Sequence, residues 1–232
     1  MDGVEAMENT QMEAVYQQAK DRFMHYTGAD DLRTAEELFG QIIDYKQSRA
    51  YLQKCGTLLE YMVGNTVTLG SFDGKPIRWR VADQRGKMRM LLSEEIVTRH
   101  FYHRTTLEDA TWSDCSLRKW LNKEFIESAF TLQERMSIVP NKVVNLRNRK
   151  FYTQGGMDTM DRVYVLSPDE AERYLPEQSQ RAGDGWWWLR SPGSNLFSAV
   201  AVYDDGSIYE NGIHIDYELG GVRPVIWVLL KV

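Results

Sequence analysis

The residues best suited to acid–base or metal chemistry are the histidines. Of the four in the chain, His100, His103 and His214 each have a second histidine or a carboxylate two or three residues away. His214 and Asp216 are two residues apart, so a β-strand would place both on one face, as an acid–base pair requires. His100 and His103 are three apart, but no third ligand of a kind that metals favour lies near them. A solvated or ligand-binding strand face explains the first pair as well, and surface or loop positions explain the second. We therefore predict no catalytic residue, no metal site and no cofactor.

The two cysteines, Cys55 and Cys115, are too few for a disulfide framework or a structural zinc site. No GxSxG, Walker-type or GxGxxG motif occurs in the chain. The sequence therefore contains no short motif that predicts a disulfide framework, a zinc site, a serine nucleophile or a nucleotide-binding loop.

Three consecutive tryptophans, Trp186 to Trp188, are the most unusual local feature of the sequence. On a strand, Trp186 and Trp188 would share one face and Trp187 would lie on the other. One interpretation is that the pair anchors a core and the third packs under a loop. The alternative is that one indole is exposed as a platform for a sugar ring or an apolar anchor.

Three short alternating runs follow, at 199–203, 207–210 and 213–217. They are separated by Asp205-Gly206 and Asn211-Gly212, and such pairs between alternating runs are strong hairpin signals. The sequence therefore predicts a three-stranded meander near the C-terminus.

Before this meander, the predicted secondary structure changes from helices to strands at Gly64. Residues 10–26, 30–43 and 48–62 have apolar residues at spacings of three and four, which predicts amphipathic helices. From Asn65 onward alternating runs predict strands, including a hairpin across Asp73-Gly74. Helices are expected again at 116–130 and after the helix-start signal Ser167-Pro168. We predict an α+β protein with a helical hairpin at 1–63 and a larger domain at 64–232.

The motifs of the larger part resemble a bacterial domain family of unknown function with a C-type lectin-like fold. The resemblance rests on WWLRSPG (187–193), the DGS and NG turns and the closing GVRPV (221–225). Upstream, VTLGSFDGKPIRWRV (67–81), MLLS (90–93) and TWSDCSLRKWLNKEF (111–125) match it too. Together these motifs extend over roughly residues 64–230, about 70% of the chain.

The resemblance implies that WWLRSPG and GVRPV are scaffold and that the meander faces a ligand. Related lectin-like folds serve as variable target proteins of diversity-generating retroelements, which randomise adenines in Asn codons. The residue types in this meander fit such codons, although polar hairpins use the same types for ordinary reasons. The implied ligand-binding positions are Asn195, Phe197, Ser198, Tyr203, Asp204, Ser207, Tyr209, Asn211, His214, Asp216 and Tyr217. The implied partner is a protein or a cell-surface ligand.

The first segment resembles a different family. AEELFGQIIDYKQSRAYLQKC (35–55) is similar to the helical hairpins of tetratricopeptide-type repeats, but only about one and a half units are present. An alternative function is therefore that of a structural or adaptor protein that docks on another protein through these helices.

An enzyme is the third alternative, because the lectin-like superfamily includes formylglycine-generating enzymes. Those enzymes hold copper with a pair of cysteines in the active region. Here Cys55 lies in the helical segment and no second cysteine follows Cys115. We therefore expect no such oxidase activity.

The distribution of charge also restricts the partners. Residues 1–64 carry eleven acidic and six basic side chains, so the whole net charge of −5 lies there. The neutral remainder disfavours nucleic acid, since domains that bind phosphate backbones are usually basic. The stretch KVVNLRNRK (142–150) is basic locally, which an edge strand and its loop also explain. With no signal peptide or apolar run of membrane-spanning length, we expect a cytoplasmic protein without a membrane span.

Overall fold

The computed structural model describes residues 2–105, 109–217 and 219–232, with side chains from residue 8 onward. The chain forms two compact units, Met1–Asn65 with Leu230–Val232, and Thr66–Leu229. Both helices and antiparallel sheets are present, which confirms the α+β class. In the described residues no helix has the length and apolar character that crossing a bilayer requires.

Three helices build the first unit: α1 (Asp2–Met24), α2 (Ala29–Gln41) and α3 (Ser48–Glu60). Their apolar stripes meet in a core that contains Tyr16, Phe39 and Cys55. The ring of Tyr51 stacks on that of Phe39 with centroids 5.0 Å apart. The spacing of apolar residues therefore predicted this core correctly.

The first sheet of the second unit is antiparallel and includes the last strand of the chain. Its order is β1-β2-β3-β13-β5, and β8 also pairs with β13. Asp73 and Gly74 both have positive φ, the two-residue turn that joins the first two strands. The strands are β1 (Thr66–Phe72), β2 (Lys75–Arg85), β3 (Met88–Ser93), β5 (Ile138–Val139), β8 (Val163–Tyr164) and β13 (Val225–Leu229).

The second sheet carries the C-terminal meander. Its order is β11-β10-β9-β12-β4, and only β9 and β12 run parallel. The strands are β4 (Thr98–Arg99), β9 (Trp187–Pro192), β10 (Ser198–Val202), β11 (Ile208–His214) and β12 (Gly221–Val222). All residues of β9 and β10 are buried, so these two strands form the rigid centre of the sheet.

Helices and one small sheet complete the second unit. A continuous helical stretch comprises α4 (Ser116–Trp120), a π-helical turn (Leu121–Phe125) and α5 (Ile126–Ala129). The remaining helices are α6 (Leu132–Ser137), α7 (Pro168–Tyr174) and α8 (Gln178–Arg181), and β6 (Asn141–Val143) pairs with β7 (Thr159–Asp161). Ser167 caps α7 and Glu170 completes a capping box, as the signal Ser167-Pro168 predicted.

The structure corrects two expectations about the meander. Asn211-Gly212 is not a turn between strands, because both residues lie inside β11, opposite an irregular point of β10. β11 then ends at His214, so the alternation expected through 217 stops and Asp216 lies in a turn. Gly212 supplies the positive φ of a bulge instead of the positive φ of a hairpin turn.

The burial of the three tryptophans differs from the interpretation in which Trp186 and Trp188 together anchor a core. Trp187 and Trp188 are fully buried, whereas Trp186 is partly exposed. Trp186 and Trp188 do share a face, since their rings pack edge to face with centroids 4.7 Å apart.

Candidate binding surface of the C-terminal hairpin

The candidate surface is built on the hairpin of β10 and β11, which we call the C-terminal hairpin together with its flanking residues 195–197, 203–207 and 215–217. β10 pairs with β9 on one side and with β11 on the other, for example Ala201 with Trp188 and with Tyr209. The indole N–H of Trp188 donates to the His100 carbonyl (2.8 Å). This buried support fixes the backbone from which the exposed side chains project.

Two tyrosines mark the tip of the hairpin. The rings of Tyr203 and Tyr209 stack with centroids 5.0 Å apart, and partial burial and this neighbour raise the pKa of Tyr203. In the turn between them Asp205 accepts hydrogen bonds from the backbone N–H and the hydroxyl of Ser207, which lower the Asp205 pKa. Asp204 is exposed. The tip therefore presents an aromatic pair beside acidic and hydroxyl groups.

The middle of the hairpin is a tight bulge. A Cβ on Gly212 would lie 2.8 Å from the Ala199 carbonyl oxygen, so only glycine fits there. Asn211 is exposed, and its side-chain oxygen lies 3.4 Å from the Lys150 ammonium. Ser198, which the resemblance placed in the binding set, is buried, and its hydroxyl oxygen lies 3.2 Å from the carbonyl oxygens of both Asn195 and Asn211, which share its one donor hydrogen. Ser198 thus holds the bulge closed and does not face solvent.

The base of the hairpin carries a second group of exposed side chains. His214 Nδ1 contacts the carboxylate of Asp216, and both side chains are partly open to solvent. Phe197 is 39% exposed and Tyr217 is 52% exposed. Asn195 is exposed as well and accepts a hydrogen bond from the Phe197 backbone N–H. This end offers apolar rings and an imidazole–carboxylate pair.

The eleven sequence-predicted positions therefore do not form one cluster. Ten are exposed or partly exposed, and they divide between the tip and the base of the hairpin with Asn211 between them. The five residues of β10, Ser198–Val202, lie between these ends, and the strand alone is roughly 13 Å long at the rise of a strand.

Sequence reasoning missed two contributors to this surface. Trp186 lies beside Tyr217, with ring centroids 6.0 Å apart, and so enlarges the aromatic area at the base. Lys150 approaches Asn211 from the loop after β6, which brings a positive charge to the middle of the hairpin. Trp186 could have been chosen from the exposed-indole interpretation, whereas nothing in the sequence links Lys150 to Asn211.

The loop that carries Lys150 is anchored firmly to the hairpin. Arg149 pairs with Glu210 in β11 and with Glu172 in α7, which lowers the Glu172 pKa and raises that of Arg149. The Asn148 amide donates to the carbonyls of Pro192 and Glu210. The basic stretch 142–150 thus includes the last two residues of β6 and this anchored loop.

The remaining candidates for chemistry lie elsewhere. His100 stacks on Trp120, and its burial lowers its pKa. His103 lies in a loop, as one of the two expected positions has it, but is buried and not at the surface. Cys55 and Cys115 are buried free thiols whose pKa values burial raises to about 11 and about 12. Among the residues that the structure describes, no group of three or more His, Cys, Asp and Glu side chains could hold a metal ion.

Comparison with known families gives one match. Residues 87–230 match the family model described as a domain of unknown function, DUF6273. The chain belongs to the DUF6273 family. No curated protein and no solved structure matches the chain.

The DUF6273 match contains the whole C-terminal hairpin and the buried pair Trp187 and Trp188 that supports it. It begins at residue 87, just before β3, whereas the structural unit begins at Thr66. The first hairpin, β1 with β2, is therefore part of the unit but lies outside the family match. It pairs with the DUF6273 region through β3.

Proposed function

We propose that this protein is a binding module whose C-terminal hairpin contacts a protein partner. One observation carries the proposal: ten of the eleven positions are open to solvent, while every residue of the supporting strands β9 and β10 is buried. Tyrosine gives large contact area with little side-chain entropy to lose, and Ser, Asn and Asp give adaptable hydrogen bonds. A rigid sheet that presents such side chains loses little further freedom on binding.

The spacing of the two ends favours a protein over a small molecule. A small ligand would contact either the tip or the base, which lie beyond the two ends of β10, a strand roughly 13 Å long. A typical protein interface buries about 800 Å² on each partner, which is enough to include both ends. The rings of Tyr203, Tyr209, Phe197 and Tyr217 would be the main apolar anchors.

The proposal includes a C-type lectin-like scaffold and programmed diversification of the hairpin. The scaffold is supported by the resemblance of the motifs and by two sheets, one of which includes the last strand of the chain. Diversification is supported by the residue types at the exposed positions, which an Asn codon with randomised adenines can encode. The buried position Ser198 does not belong to such a set.

Site-specific photocrosslinking in the native cell tests the binding surface. A photoreactive amino acid replaces Tyr209 at the tip or Phe197 at the base, and Leu132 or Met136 in α6 serve as exposed controls, at 69% and 73%. We expect one protein to crosslink at both hairpin positions and at neither control position. Equal crosslinking at all four positions, or none at the hairpin, would contradict the proposal.

Sequencing the gene in several isolates tests diversification separately. Substitutions should concentrate at adenines in the codons of the ten open positions, beside a reverse-transcriptase gene and a near-repeat of the 3′ coding end. Absence of these features would overturn diversification and leave the binding proposal in place.

A second candidate function is docking through the first unit. The unit has its own core, and its residues 1–64 carry the whole net negative charge of the chain. Its tetratricopeptide-like helices would bind a basic partner segment. The same crosslinker at Glu37 on the exposed side of α2 should then capture a different protein from the one captured at the hairpin.

A further inference from the structure

A cavity of about 340 Å³ lies in the second unit, apart from the hairpin positions. Its walls come from the segment around β4, from residues 182–187 and from the loop between β12 and β13. Its volume is at the lower end of the range for small-molecule pockets. Ile96, Thr98, Arg99, Gly183, Trp187 and Arg223 line it.

Arg223 is a buried cation at the wall of this cavity. Only 3% of its surface is exposed, and its guanidinium lies over the Trp187 ring, 4.9 Å from the centroid. It donates to the Ser93 carbonyl from Nε (3.2 Å) and Nη2 (3.0 Å), and to the Gln180 carbonyl from Nη1 (3.4 Å). A guanidinium has five N–H donors, so two of them reach none of these carbonyls.

Arg223 forms no ion pair within 4.0 Å in the described part of the chain, so its charge is balanced by carbonyl dipoles, by the Trp187 ring and, from a greater distance, by the carboxylates of Glu94 and Glu95. Burial accordingly lowers the pKa of Arg223 to about 10. A buried charge is normally paired, because its desolvation is costly. A bound anion would add a negative group in direct contact with the guanidinium, which Glu94 and Glu95 do not provide.

Arg99 adds a second positive charge to the same cavity. Its guanidinium is fixed by donation to the Leu219 carbonyl (2.9 Å) and the Asp184 carbonyl (2.6 Å). These acceptors are backbone carbonyls, which orient the cation without neutralising it. The fork geometry of a guanidinium suits a carboxylate.

The acidic residues at the rim limit the charge of the ligand. Glu94 is held by Arg80 and by the Thr66 hydroxyl. Glu95 lies 3.8 Å from the Arg78 guanidinium and is exposed at the rim, as is Asp184. Their charges would repel a multiply charged anion such as phosphate more strongly than a singly charged one. Ile96 supplies an apolar wall for an uncharged part of the ligand.

We propose that this cavity binds a small monocarboxylate, with its carboxylate at Arg223 and Arg99 and its apolar part against Ile96. None of these residues belongs to the C-terminal hairpin positions. The failure of either proposal therefore leaves the other intact.

Calorimetric titration of the full chain tests this site. Acetate, lactate and benzoate are the carboxylates, benzamide is the neutral match for benzoate, and inorganic phosphate is the multiply charged control. We expect at least one carboxylate to bind, and benzamide and phosphate to bind at least about ten-fold more weakly than benzoate. Equal affinity for benzoate and benzamide, tighter binding of phosphate, or no binding by any carboxylate would overturn the proposal.

Two variants locate the binding in this cavity. Gly183 lies at the wall, and no atom lies within 4 Å of the place that a Cβ there would occupy. Gly183→Trp places an indole at the cavity wall without a clash at its Cβ and should obstruct the cavity, so that carboxylate binding weakens at least about ten-fold. Gly28→Trp is the matched control in the first unit, because a Cβ there also meets no atom within 4 Å. If Gly183→Trp and Gly28→Trp bind equally well, the ligand is not in this cavity.

Arg99→Gln tests the contribution of charge without removing Arg223, which also holds the backbone at Ser93 and Gln180. We expect a several-fold loss of carboxylate affinity and no change for benzamide. A parallel loss for both compounds would contradict recognition of the charge.

Discussion

Arg190 in β9 donates hydrogen bonds to both carboxylate oxygens of Glu170 in α7. The guanidinium also donates to the carbonyls of Val165 and Val144. Its side chain is 4% exposed, so one buried cation joins the centre of the second sheet to a helix and to two loops.

We expect Arg190→Met to lower the free energy of unfolding by about 3–5 kcal/mol, because it leaves Glu170 and the carbonyls without their buried donor. Urea unfolding followed by tryptophan fluorescence measures the loss. Arg162→Met is the control, since Arg162 is exposed and should change stability by no more than about 0.5 kcal/mol. Equal effects of the two substitutions would show that the Arg190 pair does not stabilise the fold.

Local signals in the sequence predicted local structure well. The Ser167 cap and the Asp73-Gly74 turn depend on residues within a few positions of each other, and both were correct. Asn211-Gly212 has the same local signal, but β11 continues through both residues and pairs with β10 on either side of them. Gly212 therefore forms a bulge within the strand. The partners of Arg190 are 20 to 46 residues away, so no local pattern could reveal them.

The candidate surface shows the same contrast between local sequence signals, which predicted its segments, and contacts between distant residues, which the sequence did not reveal. Alternation and turn types identified the segments that carry the exposed side chains. They did not reveal that Ser198 is buried or that Lys150 reaches Asn211, because both depend on neighbours brought together by the bulge and by a distant loop.

Gly212→Ala should destabilise the protein by about 1–3 kcal/mol. The residue has φ of 83°, and the new Cβ would lie 2.8 Å from a backbone oxygen of Ala199. Gly183→Ala is the matched control and should be neutral or stabilising by up to about 1 kcal/mol, since space is open there. Thermal unfolding compares the two, and equal stability of both variants would argue against the bulge.

Substitutions on the open face of the hairpin should have small effects on stability. We expect His214→Ala to change the free energy of unfolding by less than about 0.5 kcal/mol. Tyr209→Ala should cost about 0.5–1.5 kcal/mol through the loss of its ring pair with Tyr203, whereas Tyr209→Phe keeps that pair. A loss above about 2 kcal/mol for His214→Ala in chemical denaturation would show that the base of the hairpin is buried and is not a binding surface.

The two tryptophans that share a face provide a direct test of burial. Trp188→Ala should cost about 3–5 kcal/mol, because the ring is fully buried and donates to the His100 carbonyl. Trp186→Ala should cost clearly less, because Trp186 is partly exposed. Equal losses in urea titrations would place both indoles in the core and would remove Trp186 from the surface.

The buried thiol of Cys115 should make stability decline at alkaline pH. Burial raises the pKa of Cys115 to about 12, whereas a thiol in the unfolded chain has a pKa of about 8.5. Between these values the unfolded chain loses a proton that the folded chain keeps, so the stabilisation present below about pH 8.5 is lost as pH rises towards 12. Cys115→Ala should therefore show a shallower decline than the parent chain between pH 9 and about 11. The thiol should also resist alkylation at pH 8 until urea unfolds the protein, and rapid labelling of the folded chain would contradict its burial.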